Sequence, residues 1–185
     1  VLIKETGGML AGEWLQARYG GQVVLLLRHP AAVYASNRSM DLANAEKWLK
    51  KLVGQERLVV DLPARARQMV EDWSEAEPVV CFAMIYCLRY REALRQSADC
   101  GDWKILFYED ICEDPLRSFG SLYDQLGLSF TEACRQSIEA MCNRDGSDSF
   151  FGTTRKSREI RNKWKTVTSA EEQAKIREVL EVFEF

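Results

Sequence analysis

An arginine and a serine eight positions apart carry the clearest chemistry in this chain. They are Arg28 and Ser36, within Gln22–Ser39, QVVLLLRHPAAVYASNRS. A guanidinium offers forked donors and a hydroxyl offers one more, the set that grips a phosphate or another oxyanion. Tyr108, in DWKILFYED (Asp102–Asp110), ends a further apolar run. Arg155 and Lys156 open the densest basic run, TTRKSREIRNKWK (Thr153–Lys165), and Lys4 follows an apolar run at the start. Metal chemistry is poorly served. His29 is the one histidine, and the six cysteines (Cys81, Cys87, Cys100, Cys112, Cys134, Cys142) form no C-x-x-C pair. Most of those cysteines lie in apolar helical patterns and read as buried free thiols.

These side chains need elements to hold them. Val23–Leu27 is a run of branched apolar residues between Gly20–Gly21 and Pro30, which predicts a strand buried on both faces. Pro30 suits the first turn of a helix, so Arg28 ends a strand at a strand–helix corner where the new helix presents free backbone N–H groups to an anion. Val1–Ile3 reads as a short buried strand ending in Lys4 and Glu5. Met9–Tyr19 has helical spacing of Met9, Leu10, Trp14, Leu15 and Tyr19, with Gly20–Gly21 closing it. Strand, helix and strand in that order predict a parallel sheet with a right-handed crossover, and ligands of such sheets bind at the strands' C-terminal edge.

Further on, Leu42–Val53 is amphipathic with Trp48, Leu49 and Leu52 inward. Ala64–Trp73 follows Pro63, and Pro78 opens the strongly apolar helix Val79–Gln96. Ile105–Phe107 is a third buried strand, ended by Tyr108, Glu109 and the first-turn acid Asp110. Leu116–Leu126, closed by Gly127, and Phe130–Cys142 are helices, and Asn143–Gly152 (NRDGSDSFFG) is a loop. Ser169 with Glu172 makes a capping box for a last helix to Phe183, with Ile176, Val179, Leu180 and Phe183 on its inner face.

The chain has 185 residues, 46% apolar and 29% charged, with a net charge of −3. That is enough for one α/β domain over 1–185, a parallel sheet flanked by helices. The mild negative charge argues against a general nucleic-acid surface, so any basic site is local. No window holds the roughly 18 apolar residues of a membrane span. No signal-peptide pattern opens the chain, so a cytoplasmic location is expected. The start on Val1, directly on a strand-like run, is expected of a domain incomplete at its N-terminus.

Taken together, these blocks resemble the sulfotransferases that use 3′-phosphoadenosine 5′-phosphosulfate (PAPS), whose fold is P-loop-like. R-H-P-A-A-V-Y-A-S is similar to that family's 3′-phosphate segment, R-D-P-R-x-V-x-x-S, with His29 for the usual Asp and Ala31 for the frequent Arg. Y-E-D-I-x-E-D-P with Y-D-Q-L-G-L downstream resembles its Y-E-D-L and F-L-G-L blocks. Arg155–Lys156 and Trp164–Lys165 resemble its closing basic motif, with Ser157 where a glycine is usual and the Trp about two positions late.

The resemblance implies that Arg28 and Ser36 hold the 3′-phosphate, Tyr108 lies by the adenine, Arg155 or Lys156 closes over the nucleotide, and Lys4 is a catalytic-site group. It also implies sulfuryl transfer from PAPS, without a metal, to a hydroxyl or amine on a small-molecule, carbohydrate or lipid acceptor. Glu5 is a weak candidate for the base, and His29 reads as structural. The family's 5′-phosphosulfate loop would precede Lys4, and no such loop occurs in this sequence. The competing expectation is therefore a non-catalytic domain that binds adenosine 3′,5′-bisphosphate or serves as an interaction module.

Overall fold

The computed structural model describes residues 2–4, 8–37, 44–142 and 161–185. A long helix organises them. α6 (Pro78–Cys100) starts on a proline at its first turn and stops at Gly101, whose φ of 76° gives the left-handed turn that an L side chain resists. Its first half is apolar all round, and Cys81, Ala83, Met84, Cys87 and Leu88 are 0–1% exposed. Around it pack α3 (Ala45–Val53), α4 (Glu56–Val59) and the last helix, α11 (Ala170–Val182). Leu49 of α3 and Phe183, which caps α11, are fully buried in the same core.

Helix α6 also buries one carboxylate. Glu92 accepts from Arg95 and Gln96 and pairs with Arg57 of α4 at 2.6 Å. Burial raises its pKa, but the Arg95 and Gln96 hydrogen bonds and the Arg57 charge outweigh that and hold it below the usual range.

Among the described residues the sheet has two parallel strands, β1 (Val24–Leu27) and β2 (Lys104–Phe107), paired Val24 to Lys104 through Leu27 to Phe107. The architecture is thus mostly helical with a small parallel sheet, broadly α/β as expected. α1 (Gly12–Tyr19), preceded by a 3₁₀ turn over Met9–Ala11, ends on Gly20 at φ 67°. It is tied to the start of β2 by Gln16, which donates to Asp102 and accepts from Trp103 Nε1 at 2.7 Å.

Four expectations change here. Residues 2–4 are irregular, and Leu2 and Ile3 are 96% and 74% exposed, so the described part of the expected first strand forms no strand. Three consecutive apolar residues have strand propensity, but among the described residues no neighbouring strand takes up their backbone groups. β1 is buried on one side only: Leu25 and Leu27 lie under Ala93 and Trp103, while Val24 and Leu26 are 39% and 44% exposed. β2 is likewise half open, with Ile105 and Phe107 exposed. Trp14 and Tyr19 sit outside α1, edge to face with each other, and Trp48 lies on the outer side of α3 between Lys51 and Arg89. The amphipathic pattern of α3 marked Trp48 as inward; its ring instead packs on neighbours at the surface, as those of Trp14 and Tyr19 do.

The remaining helices follow the sequence closely. α5 (Ala64–Glu71) follows Pro63, and α7 (Tyr108–Glu113) continues directly from β2. α8 (Pro115–Gln125) is capped by Asp114 and closed near Gly127, α9 (Glu132–Cys142) follows, and α10 (Trp164–Val167) precedes α11. The capping box of Ser169 and Glu172 forms as expected. All six cysteines are free thiols, with Cys81, Cys87 and Cys112 buried.

Candidate anion site at the ends of the two strands

The parallel register sets the site. Leu27 pairs with Phe107, so the next residues, Arg28 and Tyr108, leave the same edge side by side. Both strands turn into helices there, β1 into α2 (Pro30–Asn37) and β2 into α7. Two bonds hold the Arg28–His29 corner. The Tyr86 hydroxyl of α6 donates to the Arg28 carbonyl at 2.7 Å, and the His29 N–H donates to Glu109 Oε1 at 3.0 Å.

Three predicted binding residues meet. The Arg28 guanidinium donates through Nη1 to Ser36 Oγ at 2.9 Å, and its Cζ lies 4.5 Å over the Tyr108 ring. Ser36 is exposed and Arg28 and Tyr108 are half-buried, so the cluster opens to solvent on the serine side. Among the described residues the buried Nε of Arg28 has no hydrogen-bond partner. A guanidinium held against a ring, with one donor on a hydroxyl and another unpaired, is poised to take an oxyanion. Behind it, the tilted rings of Tyr86 and Tyr90 pack with centroids 4.3 Å apart, and burial pushes both phenols above their ordinary pKa, so they stay neutral. Burial also raises the Cys112 thiol, which the Tyr108 hydrogen bond partly offsets.

The start of α2 does not behave as expected. Pro30 has no N–H, Ala31 N–H goes to His29 Nδ1 at 3.2 Å, and the Ala32 and Val33 N–H groups go to the His29 carbonyl. The first-turn donors predicted to face an anion are already used, so Arg28 and Ser36 carry the site. His29 takes the capping position that Asp occupies in the sequence pattern, and its ring nitrogen does a carboxylate's work.

The C-terminal part of the chain returns to this corner. Trp164 stacks on the His29 ring, with centroids 4.1 Å apart and planes 16° from parallel. Arg161 pairs with Glu113 at the end of α7, and α10 packs on α2. Sequence reasoning placed Trp164–Lys165 in the closing segment but missed that His29 receives the ring. It also missed Tyr86 and Glu109 as the corner's anchors; Glu109, next to Tyr108 and across from His29, is recoverable from the parallel pairing alone.

Lys4 lies exposed on the irregular N-terminal segment and not at a strand end. Arg155 and Lys156, the Asn143–Gly152 loop and Glu5 fall outside the described residues. Among the described residues no group of three or more His, Cys, Asp and Glu side chains is placed to hold a metal, and no helix is long and apolar enough to cross a membrane. No family model, no curated protein and no solved structure matches this chain.

Proposed function

We propose that this chain is the nucleotide-binding part of a PAPS-dependent sulfotransferase of P-loop-like fold, and that Arg28 and Ser36 hold the 3′-phosphate of the nucleotide. The observation that carries the reading is the convergence of Arg28, Ser36 and Tyr108, distant in sequence, at the C-terminal edge of a parallel strand pair. In the free protein the guanidinium and the hydroxyl satisfy each other. A phosphate entering beside Ser36 takes donors from the guanidinium and from the hydroxyl. Tyr108 backs the guanidinium and presents its ring near the base. PAPS supplies the activated sulfuryl group. The acceptor's oxygen or nitrogen attacks sulfur in line, the sulfur–oxygen bond to the nucleotide breaks, the proton passes to a base, and adenosine 3′,5′-bisphosphate leaves.

One observation favours a second reading. Lys4, the candidate catalytic cation, is exposed and belongs to no strand. A chain that keeps the 3′-phosphate half-site without a catalytic group beside it is a binding module for adenosine 3′,5′-bisphosphate.

Thermal unfolding tests the shared part of both readings. Adenosine 3′,5′-bisphosphate is expected to raise Tm, and adenosine 5′-phosphate to leave it where it was. An equal rise with both nucleotides refutes the 3′-phosphate assignment. Release of the bisphosphate from PAPS on a panel of hydroxyl and amine acceptors separates the enzyme from the module.

A further inference from the structure

His29 joins three pieces of the fold through three different groups. Its N–H is bonded to Glu109 of α7, its Nδ1 accepts the Ala31 N–H that starts α2, and its ring lies flat on Trp164 of α10. The Nδ1 contact works only for the neutral ring protonated at Nε2, because an imidazolium has no acceptor on either nitrogen. Ala31 is 1% exposed, so water cannot replace that acceptor. The neighbouring N–H groups of Ala32 and Val33 are committed to the His29 carbonyl. Turning the ring about its own axis does not help, since it offers a C–H or a second N–H in place of the lone pair.

Among the described residues the charges around this solvent-exposed side chain are few. Burial disfavours the imidazolium, Glu109 favours it and Lys165 of α10 opposes it, and the balance lowers the pKa. Arg28, one residue back, adds a second cation on the same corner and is occupied by Ser36 and Tyr108. From α6 the Tyr86 phenol stays neutral, and from α11 Glu172 is engaged by Tyr34 and by the backbone of Ser169. An imidazolium over Trp164 gains some cation–ring attraction, but that return at an open site is smaller than the cost of a buried N–H without a partner.

We propose that His29 is a pH-sensitive latch: neutral, it fastens Trp164 and α10 to the Arg28 corner, and protonated, it lets them go. The stabilisation from the latch is complete above the ordinary histidine value of 6.5 and is lost as pH falls through the lowered value of the folded protein. The latch belongs to the ligand-free chain and stands apart from the nucleotide reading.

Because His29 is the one histidine, its ring protons give a single NMR titration free of overlap from other imidazoles. The experiment follows those protons in the full chain from pH 8 to pH 5. In parallel it follows the fluorescence of Trp164, taken as the difference between the wild-type chain and Trp164→Phe. The expected result is an imidazole midpoint below 6.5, with the proton on Nε2 at high pH and a Trp164 change at the same midpoint. His29→Asn, whose side-chain oxygen can accept the Ala31 N–H at every pH, is expected to flatten the Trp164 signal. A midpoint at or above 6.5, a titration that leaves Trp164 unchanged, or a Trp164 transition that survives in His29→Asn overturns the proposal. The wild-type titration decides alone if the Asn variant does not fold.

Discussion

Replacing Arg28 by methionine separates a binding residue from a structural one. Among the described residues the guanidinium makes one hydrogen bond, to Ser36, and one ring contact, on Tyr108. Together these are worth about 1–2 kcal/mol. Against them stands the buried Nε, which has no partner among the described residues and whose desolvation costs about 1–3 kcal/mol. Methionine fills the space of the arginine stem and removes both sides of that balance. The expected change in folding stability is therefore small, within about 1 kcal/mol. Binding has no such compensation. Two charge-assisted bonds to a phosphate, at about 1.5–3 kcal/mol each, give roughly a 10²–10⁴-fold loss of affinity. Urea unfolding reads the first quantity, and calorimetric titration with adenosine 3′,5′-bisphosphate reads the second. A variant destabilised by more than about 2 kcal/mol, or one that keeps wild-type affinity, refutes the reasoning.

Two further substitutions test the scaffold. Gly12→Ala gains about 1 kcal/mol of helix propensity but drives its methyl into the Trp103 ring, with Cζ2 at 2.8 Å. That ring is 8% exposed and fixed by its bond to Gln16, so an overpacking cost of about 1–3 kcal/mol prevails and the urea midpoint falls. Ser169→Ala removes the acceptor for the Glu172 N–H at the start of α11 and is expected to cost about 0.5–2 kcal/mol in thermal unfolding.

Much of the helical scaffold was legible because its punctuation is local. Pro30 and Pro78 open helices, Gly20 and Gly127 close them, and Ser169 with Glu172 caps the last one. The meeting of Arg28 with Ser36 was expected from the resemblance of that segment to a 3′-phosphate motif, and it stays local because eight residues span one strand end and two helical turns. The strands read less well. Val-Leu-Leu-Leu has the composition of a fully covered strand, yet a sheet of two strands leaves Val24 and Leu26 facing water. Covering is a property of the whole assembly, and four residues do not encode it. Leu2 and Ile3 fail in the same way, because strand propensity needs a partner strand. The meeting of His29 with Trp164 joins residues 135 positions apart, and no local signal carries it.

The half-open sheet has a practical consequence. β1 and β2 pair only with each other among the described residues, so each keeps a side along which another extended peptide can align its amides. Oily side chains at Val24, Leu26, Ile105 and Phe107 flank that template. The hazard that follows in storage is strand-to-strand adhesion between concentrated molecules whose cores remain intact.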